Sequence, residues 1–325
     1  MKDLKDDRQE RIIGFSRPQL LETAKFPNLS SHPLEKEKHD FMKFGINLID
    51  TLNLEKEQVA GRPRCLYHDI IKCLLVMGYH GMSYRRASSD INELFENGLI
   101  NHAPKRSTLN KYMNMEETKK LIGELVQYTA LFFKDNEDTL IIDSTWLSKR
   151  MYTGGYRKVH DKKSSNLSKC RKMHFGILKN SHVITICMPT EGTVSDFKMF
   201  EPIVVGTIKN GFNITTLLAD KGYAGKSSYF LCENLNIKNV FIDFKSNVTL
   251  RRAKSGAWRK QLTLFKEHPE IWKDTYRYRP VIEGVVSSIK IKQVNYLRSK
   301  KPIAMDCELL LKCLIHNLTI IGRFS

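Results

Sequence analysis

Hydrophobic and polar positions follow two different periods along the chain, and the change falls near residue 139. Upstream, apolar residues recur at helical spacing. Ile70, Ile71, Leu74, Leu75 and Met77 predict a helix over 68–80, stopped by Gly81. Ser83 is a candidate N-cap for a second helix to about 95, with Ala87, Ile91, Leu94 and Phe95 turned inward. Ser107 is a candidate cap for a third, with Leu109, Tyr112 and Met113 inward, and a longer helix is expected over 117–133. Residues 1–40 are polar and broken by Pro18, Pro27 and Pro33, which suggests a loose arm with one short helix; 41–57 has room for another. Beyond 139 the apolar runs shorten to strand length: 139–144, 173–178, 182–188, 215–219 and 240–244, with Lys179-Asn180-Ser181 as a hairpin turn. Between and after them, helices are expected from Ser195 to about 205, over 227–235, from Pro280 to about 293, and over 306–322.

This order predicts an α/β protein: a mixed sheet with flanking helices, preceded by a small all-α domain. The expected divisions are an N-terminal arm over 1–64, a helical domain over 65–135 and an α/β domain over 136–325. Three short helices with tight turns suggest a helix-turn-helix bundle, with Arg85 and Arg86 on its second helix and Lys105 and Arg106 before its third. Contact with DNA is the functional reading of that region; a plain packing bundle with solvated basic residues is the other.

Charge sharpens the picture. The chain of 325 residues carries 53 Lys and Arg against 35 Asp and Glu, a net +18. That excess favours a phosphate-rich partner. It is also localised. Residues 149–179 hold ten basic side chains against Asp161, and residues 245–301 hold fifteen against four acids. Those two stretches exceed the whole net charge, so the rest of the chain is close to neutral, as expected for a nucleic-acid channel rather than for general solubility. Seven cysteines without a Cys-x-x-Cys pair argue against a zinc ribbon or a disulfide framework and suggest a reducing, cytoplasmic setting. No apolar run approaches the roughly 18 residues of a membrane span.

Against this positive background three acidic residues stand out. Asp143 ends the run Leu140-Ile141-Ile142, and Asp220 ends Leu217-Leu218-Ala219. Carboxyl ends of strands are where sheets of this kind place their chemistry. Glu283 falls early in the helix expected from Pro280, and Lys290 lies two turns further on the same face. Hard oxygen ligands of this type suit Mg²⁺, and two such ions can activate a water and steady a leaving oxygen at a phosphodiester. Taken singly, each carboxylate has a duller reading as a turn or first-turn residue. Asp196, near a helix start, and Asp243 are rival acids. Arg279 offers a fork and Lys290 a point charge to phosphate, while Tyr276, Tyr278 and Trp258 offer faces for an unstacked base. No Gly-x-Ser-x-Gly or phosphate-loop motif is present, and the histidines lack zinc spacing.

The series Tyr276-x-x-Arg279-x-x-x-Glu283-x6-Lys290, with Ile142-Asp143-Ser144-Thr145, Thr193-Val194-Ser195-Asp196 and Ala219-Asp220-Lys221-Gly222-Tyr223 in order before it, resembles the DDE transposases of prokaryotic insertion sequences. The likeness is to the subclass with the Tyr-Arg-Glu-Lys signature, in insertion-sequence families 4 and 5, and covers about 65–325. Pro280 is a departure from the usual residue after the arginine. The resemblance implies an RNase H-like catalytic domain binding two Mg²⁺ or Mn²⁺ ions through Asp143, Asp220 and Glu283. It implies nicking at the element's terminal inverted repeats, then attack of the freed 3′-hydroxyl on target DNA. Arg279 and Lys290 would hold phosphates, supported by Tyr276. Further expected DNA contacts are Lys221, Trp258, Arg251, Arg252, Arg85 and Arg86, with the basic insertion 245–275 covering the DNA. A homodimer or DNA-induced dimer bridging two ends is the expected assembly. The alternatives are a metal-dependent nuclease that does not join ends, and a DNA-binding protein derived from a transposase without catalysis.

Overall fold

The computed structural model describes residues 34–54, 65–149, 170–244, 248–250 and 256–323. These divide into two compact units, one drawn from Met1–Phe132 and Arg298–Ser325, the other from Phe133–Leu297.

The first unit begins with α1 (Leu34–Thr51), α2 (Tyr67–Tyr79), α3 (Ser88–Glu96), α4 (Arg106–Tyr112) and α5 (Glu116–Ala130). The helix α1 begins inside the arm expected over residues 1–40, with Lys36, Lys38 and His39 exposed and Glu37 paired to Arg323 (2.7 Å). α3 starts at Ser88 rather than after Ser83, because Ala87 is fully buried at the cap position and 84–87 form a turn. Residues 97–105 separate α3 from α4. That is longer than the roughly 3–4-residue turn of a helix-turn-helix, and it is held to α2 by side chains. The Asp69 carboxylate accepts from the backbone N–H of Asn101 (3.0 Å) and His102 (3.1 Å). Lys72 Nζ donates to the Leu99 carbonyl (2.7 Å) and pairs with Asp50 (2.6 Å).

The second unit runs β1 (Thr139–Ser148), β2 (Cys170–Leu178), β3 (Ile184–Glu191), α6 (Asp196–Lys209), β4 (Thr216–Ala219), α7 (Lys226–Asn234), β5 (Asn239–Ile242), α8 (Gly256–Glu267), α9 (Pro269–Tyr276) and α10 (Val281–Lys292). The sheet order is β3-β2-β1-β4-β5. β1, β4 and β5 are parallel, while β2 is antiparallel to both β1 and β3. β1 is therefore central, and Leu140, Ile141 and Ile142 are all fully buried, which explains their unbroken apolar run. α6 packs on β1, β2 and β3, and α10 packs on β1. Ser144 touches α6 whereas Asp143 and Thr145 touch the α10 side, so the two helices cover opposite faces of β1. The expected mixed sheet with flanking helices is present. The insertion expected over 245–275 contains two helices, α8 and α9, that the sequence pattern did not announce.

The final helix, α11 (Pro302–Gly322), belongs to the first unit, not to the α/β domain that the sequence pattern assigned it to. It packs on α1, α2 and α5, and nearly every residue from Ala304 to Gly322 is buried. A helix apolar on all sides needs helices around it rather than one sheet face. The helices approach closely at small residues: a Cβ on Gly78 of α2 would stand 2.5 Å from Ile315 Cδ1, and one on Gly45 of α1 3.4 Å from Leu318 Cδ1. Among the described residues, no helix is long and apolar enough to cross a membrane.

Candidate active site

Pairing between β1 and β4 runs from Thr139↔Thr216 to Ile142↔Ala219 and stops there. The next residues are Asp143 and Asp220, so two carboxylates leave adjacent parallel strands at the same level. β4 ends because Asp220 opens a short 3-10 turn, Lys221–Tyr223. β1 does not end at Asp143, as the sequence pattern suggested. It continues to Ser148, because Thr145–Ser148 stay paired to β2 over Cys170–Met173.

The Asp143 carboxylate is 17% exposed. One oxygen accepts from the Ser144 N–H (2.8 Å) and the other from Arg279 Nη2 (2.7 Å). Its pKa is pushed up to about 6, first by burial, with Asp220 and Asp196 adding like charge; Arg279 and the Ser144 N–H pull the other way.

The Tyr-Arg-Glu-Lys series converges on the same strand ends. Tyr276, the last residue of α9, stacks on Trp272 and donates its hydroxyl to the Ala219 carbonyl (3.4 Å), one residue before Asp220. Arg279 precedes α10 and bridges Asp143 to Glu283, the latter in the first turn of α10. Lys290 donates to Thr145 Oγ1 (2.7 Å), on the face of β1 that carries Asp143. Glu283 is the most open of the three acids, its side chain 61% exposed. Among the described residues no group of three or more His, Cys, Asp and Glu is gathered closely enough to hold a metal ion. What joins Asp143 to Glu283 is the guanidinium of Arg279, a cation between two carboxylates.

On the opposite face of β1, one acidic residue has more partners than any candidate above. Asp196, first residue of α6, accepts from Ser144 Oγ (2.5 Å) and Lys172 Nζ (2.8 Å), with His174 Nδ1 at 3.4 Å. Despite the opposing effect of burial, these donors hold its carboxyl far below the usual range. The sequence pattern offered Asp196 as a rival acid near a helix start and gave Ser144, Lys172 and His174 no part beside it. The available signal was Lys172 and His174, two apart and so on one face of β2.

The remaining sequence candidates are dispersed. Lys221 is exposed and lines a cavity of about 550 Å³ with Phe244, Leu262, Phe265 and Lys266. Arg85 and Arg86 are exposed, and Arg85 with Lys105 and Arg106 lines a groove of about 830 Å³ in the first unit. Arg251 and Arg252 lie outside the described residues. Trp258 does not present its ring for stacking. It is 9% exposed, with its ring centroid 5.1 Å from that of Tyr229 and 5.6 Å from that of Phe244, in an aromatic cluster that fixes α8 to α7. Trp258→Ala is therefore expected to cost about 3–5 kcal/mol of stability, seen as a lower melting temperature in a thermal melt.

Two carboxylates side by side where the β1–β4 pairing stops, a third on a nearby helix and Arg279 between two of them are suited to phosphodiester chemistry. No curated protein matches the chain. Among solved structures, it is similar to a chain in the cryo-EM structure of the piggyBac transposase synaptic complex with hairpin DNA, at 11% identity and a TM-score of 0.40, over 92% of this chain and 77% of that one. The transposase DDE domain family matches residues 134–318, a span that takes in Asp143, Asp220, Glu283 and the whole Tyr-Arg-Glu-Lys series. The chain belongs to the transposase DDE domain family.

Proposed function

We propose that the chain is the transposase of an insertion sequence: it binds the terminal inverted repeats of its own element, cleaves a strand at each end and joins the freed 3′-hydroxyl to target DNA. The observation that carries this reading is the convergence of Tyr276, Arg279, Glu283 and Lys290 on the ends of β1 and β4, where Asp143 and Asp220 emerge. The strand order, with an antiparallel β3-β2-β1 half and a parallel β1-β4-β5 half, supports an RNase H-like description of the second unit.

Asp143, Asp220 and Glu283 carry the hard oxygens that Mg²⁺ or Mn²⁺ prefers. When bound, a pair of such ions activates the attacking oxygen and stabilises the leaving one. Asp143, Asp220 and Glu283 would hold them. Arg279 holds its carboxylates through a planar fork that fits a phosphate equally well, so the same side chain can change partners when DNA arrives. Lys290, kept near the strand by Thr145, adds a point charge beside the same phosphate. A protein joining two element ends in one reaction would act as a dimer on DNA, in the cytoplasm.

The test is incubation of the protein with Mg²⁺ and a duplex carrying the DNA that flanks its coding sequence. The expected products are 3′-hydroxyl nicks at the repeat boundaries and, with target DNA present, joined strands. Nicks without joined strands would reduce the reading to a nuclease; binding without nicks would reduce it to a DNA-binding protein. For the first unit, Arg85 and Arg86 are proposed phosphate contacts. Replacing both with Ala is expected to lower the slope of log K against log salt by about 2, since each neutralised phosphate contributes roughly 0.9. An unchanged slope removes them from the interface.

A further inference from the structure

Asp196 lies between the two halves of the candidate site without belonging to either. On one side its carboxylate accepts from Ser144 Oγ, and the Ser144 N–H in turn donates to Asp143 Oδ1. One residue thus relays Asp196, through its hydroxyl and its amide, to the Asp143 carboxylate across the strand. On the other side Asp196 abuts the turn that follows Asp220: a Cβ on Gly222 would stand 3.3 Å from Asp196 Oδ2. The next residue, Tyr223, is 1% exposed, and its phenol is held well above its ordinary pKa first by burial and then by the charge of Asp196, Asp143 and Asp220.

The network is closed from behind by β2. Lys172 and His174 are 3% and 0% exposed and stand opposite Trp146 and Ser144 in the strand register. Lys172 also lies over the Trp146 ring, 4.3 Å from its centroid, and His174 Nε2 is 3.0 Å from Thr190 Oγ1. Asp196 Oδ1 is taken by two donors with a third close by, and its charge is balanced by Lys172. Stability alone does not require the arrangement, because a buried ion pair is at best near neutral against apolar side chains of similar volume. What the arrangement does supply is a fixed distance between two strand ends, in the way that groups behind a metal's ligands orient them.

We propose that Asp196 is a positioning residue, setting the placement of Asp143 through Ser144 and of Asp220 through the Gly222 turn. The proposal rests on the reading of those two carboxylates as metal ligands. The test uses the full chain, with Mn²⁺ binding followed by electron paramagnetic resonance and Mg²⁺-dependent nicking of the flanking-DNA duplex measured in parallel. Asp196→Asn keeps the shape and an acceptor for Ser144 but loses the charge that holds Lys172. The expected result is Mn²⁺ binding weaker by about 10-fold or more and nicking slower by about 10–100-fold, with duplex affinity unchanged. Gly222→Ala, which pushes on the same carboxylate from the turn, is expected to act in the same direction. Mn²⁺ affinity and nicking within twofold of the parent, in folded Asp196→Asn, overturn the proposal, as does a loss of thermal stability alone. Should Asp196→Asn fail to fold, Ser144→Ala leaves the Lys172–Asp196 pair intact and carries the same expectation and the same overturning result. Asp143→Asn separates the two levels. If it loses Mn²⁺ while Asp196→Asn retains it, only the positioning role falls. If Asp143→Asn retains Mn²⁺, the ligand reading falls and the positioning role with it.

Discussion

Asp143→Asn, Asp220→Asn and Glu283→Gln are each expected to lower strand cleavage by about 1,000-fold or more, roughly 4 kcal/mol of transition-state stabilisation, while duplex binding persists. Each change keeps the side chain's shape and removes the charge that a divalent cation needs. The expected cost to folding is small. At Asp143 the amide oxygen can still accept from the Ser144 N–H, and the lost charge is one that burial disfavours. Arg279 retains Glu283 as a partner. At the more open Glu283 even less depends on the charge for stability. Cleavage assays, filter binding and thermal melts on the same preparations separate the two effects. Undiminished cleavage by any one variant removes that residue from the catalytic set.

The second large effect is expected in the first unit. Leu314→Asp should prevent the helical unit from folding, and Leu314→Ala should weaken it by about 2–5 kcal/mol. Leu314 is fully buried near the middle of α11. An aspartate there would have to be buried without a partner or carry its helix outward. Either costs several kcal/mol, against a net stability of only about 5–15 kcal/mol for a typical domain. Neighbouring Asn317 shows how α11 tolerates polarity: its Nδ2 donates to the Val126 carbonyl (3.2 Å) and to Thr129 Oγ1 (3.0 Å). Circular dichroism and hydrogen exchange would report the loss. Native exchange protection in α1, α2 and α5 of Leu314→Asp would contradict the central placement of α11.

How much of this was legible in the sequence depends on what kind of contact each residue makes. The strands around Leu140–Ile142 and Leu217–Ala219 were readable because burial on both faces leaves an unbroken apolar run. The extension of β1 from Ser144 to Ser148 was not, since the apolar run ends at Ile142 and it is pairing with β2 that holds Thr145–Ser148 in the strand. α11 was readable as a helix, but a helix apolar all round fits any core, so its membership was decided by packing alone. α8 and α9 were hidden by mixed charge and by aromatics whose partners, Tyr229 and Phe244, lie on other elements. In the site, fixed spacing made Arg279, Glu283 and Lys290 visible. The Asp196 network was not, because it joins residues from β1, β2 and α6 that no local period connects.

The place of α11 has a consequence for synthesis. All of Phe133–Leu297 leaves the ribosome before α11 does, so the sheet and its acidic positions can fold while the helical unit still lacks its middle. A premature stop codon just after Leu297 would therefore spare every candidate ligand. It would nonetheless leave α1, α2 and α5 without the apolar helix that all three pack on, an aggregation-prone nascent product in which intact chemistry is tethered to a half-built bundle.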